Sequence, residues 1–85
     1  MIAVVPVFNH ARTVAEVVAG LRAFGATVLV VDDGSTDGSG DAAAAAGGEV
    51  HRLPVNRGKG EALRVALAIA RDRGCARALT CDADG

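Results

Sequence analysis

Thr27-Val28-Leu29-Val30-Val31-Asp32-Asp33-Gly34-Ser35-Thr36-Asp37-Gly38 decides the fold. Thr27 to Val31 is an apolar run without alternation, and a dense turn signal ends it abruptly. Such a run suits a strand buried on both faces of a parallel sheet, since helices cover both sides of that kind of sheet. The same pattern recurs along the chain. Ile2 to Val7 reads as a first strand, with Pro6 expected at or past its end because proline cannot donate to a strand ladder. Glu49 to Leu53 is a weaker third strand. Ala76 to Cys81 is a fourth, followed by Asp82-Ala83-Asp84-Gly85.

Helical patterns lie between the strands. Thr13 and Glu16 have capping-box spacing, and Val14, Val17, Val18 and Leu21 make one apolar helical face that Gly25 stops. Asp41 to Ala46 is expected to be helical from alanine propensity, with Gly47 and Gly48 closing it. Pro54 to Gly60 reads as a loop. Glu61 to Arg71 is the best helix, with Leu63, Ala66, Leu67 and Ala70 on one face and Glu61, Arg64 and Arg71 on the other; Gly74 ends it. The order β-α-β-α-β-α-β predicts an α/β unit with a four-stranded parallel sheet and right-handed crossovers.

The bulk composition narrows the function. The 85 residues have room for one small α/β unit and are too few for two domains. A unit of this size buries a limited core. Hydrophobic residues are 51% and aromatics only 2%, so Val, Leu, Ile and Ala must form that core. The net charge of −1 argues against a nucleic-acid or anionic-membrane surface. Arg52, Arg57, Lys59 and Arg64 form a local basic group that reads as a solvated face. Cys75 and Cys81 lack metal-ligand or CxxC spacing and read as buried or half-buried free thiols of a reducing compartment. Met1 to Val7 is too short for a signal peptide or a span, which leads to the expectation of a soluble, cytoplasmic protein.

The strands of a parallel sheet all point one way, so the segments after them gather along one edge, where such folds bind ligands. Phe8 and Asn9 follow strand one, and Asp32 and Asp33 follow strand two. Asn56-Arg57-Gly58-Lys59-Gly60 follows strand three, and Asp82 and Asp84 follow strand four. The loops of the opposite edge carry no comparable chemistry. Asp37 and Ser39 read as caps. Asp32 and Asp33 are adjacent carboxylates at the end of a buried strand, which repel unless a donor or cation answers them. Asp82-x-Asp84 can present oxygens to Mg²⁺ or Mn²⁺, or serve as a plain turn. The Gly-Lys-Gly loop fails both the P-loop and the dinucleotide fingerprints. It remains either a generic anion site at a helix start or a helix-entry turn with solvated cations. His10 and His51 read as surface residues.

Taken in order, Val4-Val5-Pro6-Val7-Phe8-Asn9, Val30 to Gly38, Asn56 to Gly60 and Asp82-Ala83-Asp84-Gly85 resemble the family 2 glycosyltransferases of GT-A fold, across essentially the whole chain. The Gly-Lys-Gly loop looks closest to the polyprenyl-phosphate mannosyl- and glucosyltransferase branch. The resemblance implies a Rossmann-like nucleotide-binding half that binds a UDP- or GDP-linked sugar with Mg²⁺ or Mn²⁺ and donates the sugar with inversion. Pro6, Phe8 and Asn9 would line the nucleotide pocket, and Asp33, together with Asp32, would bind base or ribose. Lys59 would sit near the nucleotide. Asp82 would contact ribose or metal, and Asp84 would hold the cation. Phe8 stands where the family often has Tyr. The family's general base and acceptor site follow the Asp-x-Asp motif. They are therefore expected beyond Gly85, and residues 1–85 are expected to be one partial domain without transferase activity of its own. A lipid-phosphate acceptor and a place at the cytoplasmic face of the membrane would go with the full-length enzyme. Ala78 and Leu79, on an unpaired fourth strand, lead to an expectation of self-association.

Other readings compete. Leu79 to Gly85 looks like the nucleophile strand of haloacid-dehalogenase-type phosphatases, but that motif opens its domain and here three βα units precede it. A phosphorylated receiver domain needs its acidic pair after the first strand. A non-catalytic nucleotide-binding fragment has the same fold and ligand edge without the chemistry.

Overall fold

A computed structural model describes residues 1–75 and 77–83. Its elements run β1 (Ile2–Val7), α1 (Ala11–Ala23), β2 (Thr27–Asp33), α2 (Ser39–Ala45), β3 (Glu49–Leu53), α3 (Lys59–Asp72) and β4 (Ala78–Thr80). The strands form one sheet in the order β3-β2-β1-β4, and each pairing is parallel. The predicted order and sheet type therefore hold.

Strand alternation divides the core into two layers. Val5, Val7, Val28 and Val30 pack with Val14 and Val18 of α1 and Ala43 of α2. Ile2, Val4, Leu29 and Val31 pack on the other face against Ala62, Ala66 and Ala70 of α3. Both faces of β1 and β2 are thus buried, which is why their sequences show no polar alternation. Each such aliphatic side chain contributes about 1.5–3 kcal/mol by leaving water. The crossovers explain the sides. The chain steps from β1 to β2 to β3 in one direction, then returns past β1 to β4. With a fixed crossover hand, reversing direction puts the helix on the opposite face, as α3 is relative to α1 and α2.

Several boundaries differ from the sequence expectation. Pro6 lies inside β1, opposite Val31. Val4 offers its carbonyl to the β4 side, where Cys81 N donates to it at 3.1 Å. Pro6 points its ring nitrogen to that same side, and the β4 pairing stops at Val4–Thr80, so no ladder donor is missed there. β2 continues through Asp32 and Asp33, which pair with Arg52 and Leu53 of β3. Thr13 and Glu16 form no capping box: α1 begins at Ala11, and Thr13 Oγ1 donates to the Ala83 carbonyl at 2.6 Å. Helix α3 starts at Lys59, so the expected loop gives up Lys59 and Gly60 to its first turn. The buried face of α3 is an alanine stripe, while Leu67 is exposed and Leu63 half-buried. Small side chains at this i, i+4, i+8 spacing let the helix lie close to the sheet. No helix among the described residues is long and apolar enough to cross a membrane.

Candidate functional site

The return of the chain past β1 creates a switch point between β1 and β4, where ligands bind in open parallel sheets. A cleft of about 330 Å³ lies at the C-terminal ends of these strands. Pro6, Val7 and Phe8 line it from the end of β1, and Ala62 adds an apolar patch from α3. Asp33, Asn56, Lys59 and Asp82 supply its polar groups. Pro6, Phe8, Asp33, Lys59 and Asp82 are thus brought together as expected from the sequence. Asn9 and Asp32 are not among the lining residues, and Asp84 lies outside the described residues.

The adjacent carboxylates at the end of β2 are both buried, and each is answered by donors of the chain itself. Asp32 Oδ1 accepts from Ser35 N at 3.0 Å, closing a tight turn. Asp33 turns towards the β3–α3 loop. Its Oδ1 accepts from Arg57 N at 2.7 Å, and its Oδ2 accepts from Gly58 N at 2.8 Å and Asn56 Nδ2 at 3.1 Å. The loop lies directly over Gly34, where a Cβ would stand 2.5 Å from Asn56 N.

Asn9 shapes the neighbouring wall rather than the cleft. It has a left-handed backbone, φ 56°, and its Oδ1 accepts from Thr36 N at 2.9 Å while its own N donates to Ser35 Oγ at 3.0 Å. The β1–α1 and β2–α2 loops are tied together at this point. Asp37 acts as a cap, as expected, accepting from Ala11 N and Ser39 N, while Ser39 is the first residue of α2 and its Oγ accepts from His10 N, just before α1. The Ser39 hydroxyl, with these backbone donors, holds the Asp37 carboxyl below its usual range.

Lys59 forms an ion pair with Asp82 at the cleft, joining the first turn of α3 to the segment after β4. The other expected basic residues disperse. Arg52 pairs with Asp41 at 2.7 Å, and Arg64 pairs with Glu61, which lowers the Glu61 carboxyl pKa. Cys75 and Cys81 are half-buried free thiols. Among the described residues no three metal-ligating side chains cluster.

The sequence reading missed His10 and Asn56 as cleft residues. Asn56 had a signal, because it opens the Asn-Arg-Gly-Lys-Gly loop. His10 had none beyond its place after the first strand.

This geometry defines a class, a Rossmann-like parallel α/β unit with a cleft at the switch point and carboxylates after alternate strands. The chain belongs to glycosyl transferase family 2, whose family model matches residues 2–85. Over 63 residues it is 44% identical to the glycosyltransferase AglJ of Haloferax volcanii, covering 73% of this chain and 20% of that protein. It matches the crystal structure of mannosyl-3-phosphoglycerate synthase from Rubrobacter xylanophilus with a TM-score of 0.78 and 32% identity, over 96% of this chain and 29% of that one. Glucosyl-3-phosphoglycerate synthase from Mycobacterium tuberculosis, in complex with phosphoglyceric acid, matches with a TM-score of 0.69 and 32% identity, over 79% of this chain and 28% of that one. The chain spans less than a third of the length of each of these proteins. The fold is that of the GT-A glycosyltransferases.

Proposed function

We propose that this chain forms the donor side of an inverting glycosyltransferase and binds a UDP- or GDP-linked sugar with Mg²⁺ or Mn²⁺. The observation that carries the reading is the cleft at the β1–β4 switch point, apolar on the Pro6–Phe8 side and charged at Lys59 and Asp82. Phe8 is 43% exposed, so its ring offers a surface on which a nucleobase packs. Lys59 places a positive charge for a diphosphate. Asp82, exposed at the cleft, fits a cation site of the magnesium type, in which one or two carboxylates act with substrate phosphates and water rather than a full protein cage. Asp84 would be the second carboxylate. When bound, the cation neutralises charge that builds on the departing diphosphate. Lys59 adds a fixed positive charge to the same end, and the apolar wall orients the base. By the family resemblance, the general base for the acceptor would come after the Asp-x-Asp motif. The acceptor in this reading carries a phosphate: a lipid phosphate by the branch resemblance, or a phosphorylated small acid like the phosphoglyceric acid in the M. tuberculosis complex. A cytoplasmic location, at the membrane face for a lipid acceptor, goes with this reading.

Calorimetric titration with UDP and GDP, with and without Mn²⁺, tests it. Metal-dependent binding of one nucleotide, lost in Asp84→Ala, is the expected result. A protein that is folded by circular dichroism and binds neither nucleotide would sink the donor-site reading.

A further inference from the structure

We infer that Thr13 is a positioning residue for the cation: its hydroxyl holds the Ala83 carbonyl, in the middle of Asp82-Ala83-Asp84, and so keeps the motif at the cleft when the Lys59–Asp82 pair opens to admit a ligand. The effect on the cation rests on the donor-cleft reading above; the tether itself does not.

β4 is short, and its pairing with β1 ends at Val4–Thr80. Cys81 N donates to the Val4 carbonyl at 3.1 Å, and the chain then leaves the ladder. Two side chains reach the segment beyond, one from each face of the sheet. Lys59 comes from α3 and pairs with Asp82. Thr13 comes from the first turn of α1, and its Oγ1 donates to the Ala83 carbonyl at 2.6 Å. The two ties differ in kind. The Lys59–Asp82 pair is charged and largely exposed, so a diphosphate and its cation compete for both partners. Thr13 is half-buried, and Ala83 is 3% exposed and packs with Val5, Val7 and Val14. The bond between them is neutral, and a ligand of the cleft does not compete for it.

A helical threonine commonly donates its hydroxyl to a carbonyl one turn back. Thr13 gives it instead to a residue 70 positions away. The turn that carries Thr13 is itself anchored, with Ala11 N held by Asp37 at 3.0 Å and His10 N by Ser39 Oγ at 2.9 Å. Beyond that turn a groove of about 410 Å³ parts α1 from the segment, with Glu16, Val17, Gly20 and Leu21 facing Cys81 and Asp82. Asp82 therefore lines both this groove and the cleft. Among the described residues the Thr13 bond is the only hydrogen bond that crosses from α1 to the segment. Without it Asp82 has room to move off the cleft, and its oxygen would be lost to the cation. Groups that orient a metal ligand typically change metal affinity about tenfold to a hundredfold.

Two measurements decide it, on the wild type, Thr13→Val, Thr13→Ser and Arg73→Ala. Arg73→Ala breaks the ion pair with Glu49, away from the cleft, and controls for lost stability alone. The first measurement is nitrogen-15 relaxation of the unliganded protein. Asp82 and Ala83 are expected to be ordered in the wild type, with order parameters near about 0.85, and to fall towards about 0.6 in Thr13→Val but not in the other two variants. The second is calorimetry with UDP and GDP, with and without Mn²⁺. Thr13→Val is expected to cut the Mn²⁺-dependent gain in affinity about tenfold and to leave metal-free binding unchanged. Thr13→Ser is expected to restore the gain, and Arg73→Ala to keep it. Equal losses with and without Mn²⁺, or no rescue by Thr13→Ser, would make Thr13 a structural residue and overturn the proposal. So would order at Asp82 and Ala83 that survives Thr13→Val. Thr13→Ala takes the place of Thr13→Val if that variant fails to fold. If the wild type binds neither nucleotide, the donor-cleft reading falls, and the tether stands or falls on relaxation alone.

Discussion

Asp37 reaches the start of α1 from across the sheet edge: its Oδ2 accepts from Ala11 N at 3.0 Å, 26 residues away in sequence. His10, the residue before α1, supplies no side-chain cap of its own. The other oxygen of Asp37 accepts from Ser39 N at 3.0 Å, at the start of α2. One carboxylate thus answers two helix N-termini, whose open N–H groups and dipoles favour a negative charge. Asp37→Ala is expected to lower the urea midpoint without changing the slope. The pH dependence follows from the depressed carboxyl pKa. The contribution of Asp37 is fully present above the ordinary value of 3.8 and is lost as pH falls through the lower, folded-state value. The stability difference between wild type and Asp37→Asn, followed from pH 6 downward, is expected to shrink only below about 4.

Two glycines are expected to respond oppositely to the same substitution. Gly34 has φ +75°, and its missing Cβ would meet Asn56 N at 2.5 Å and the Val55 carbonyl carbon at 2.6 Å. Both are backbone atoms that cannot rotate aside. Gly34→Ala should cost about 2 kcal/mol or more, from left-handed strain and collision together. Gly20 sits inside α1 with nothing within 4 Å of its would-be Cβ. Gly20→Ala should gain about 0.5–1 kcal/mol by helix propensity. Denaturant titration of the pair checks the sign of each.

The alanine stripe of α3 carries a further prediction. Ala66 is fully buried against the sheet, between Ala62 and Ala70. Ala66→Leu adds volume where helix and strand backbones lie close, and overpacking of this kind costs about 1–3 kcal/mol. The same change at Ala68, which is exposed, should stay within about 0.5 kcal/mol. Equal effects at the two positions would show that the helix face has been assigned wrongly.

Strands β1 and β2 were legible because burial on both faces writes an unbroken apolar run, as in Val28 to Val31, and the parallel order followed from the alternation of strands with helices. What was hidden had long-range causes. Asp33 read as a carboxylate awaiting a donor or cation because the donors that answer it come from a loop more than 20 residues away. Thr13 read as a cap because its partner, the Ala83 carbonyl, is 70 residues distant. The face expected for α3 set Leu63 and Leu67 beside Ala66 and Ala70, and it is the alanines that are buried, because hydrophobicity does not reveal that close approach favours alanine. In the candidate site, the motif residues Phe8, Lys59 and Asp82 were placed correctly at one edge. Local sequence could not separate Asp33, which lines the cleft, from its neighbour Asp32, which does not, since successive strand residues point to opposite faces.

The Lys59–Asp82 pair separates stability from binding. Both side chains are largely exposed, 65% and 58%, so solvent screens the pair and it should contribute no more than about 0.5–1 kcal/mol to folding. Lys59→Ala and Asp82→Asn are therefore expected to melt within a few degrees of wild type. Their effect on ligand should be larger and of different kinds. Lys59→Ala removes a positive charge that would meet the diphosphate, so binding of UDP or GDP should weaken about tenfold and depend less steeply on salt. Asp82→Asn removes an oxygen that would meet the cation, so its loss should shrink when Mn²⁺ is omitted, since the metal-dependent part is what the carboxylate supports. Calorimetry across an ionic-strength series, with and without Mn²⁺, reads both. If each variant lost affinity in step with its melting temperature, the pair would be a structural clasp and the cleft would lose its charged end.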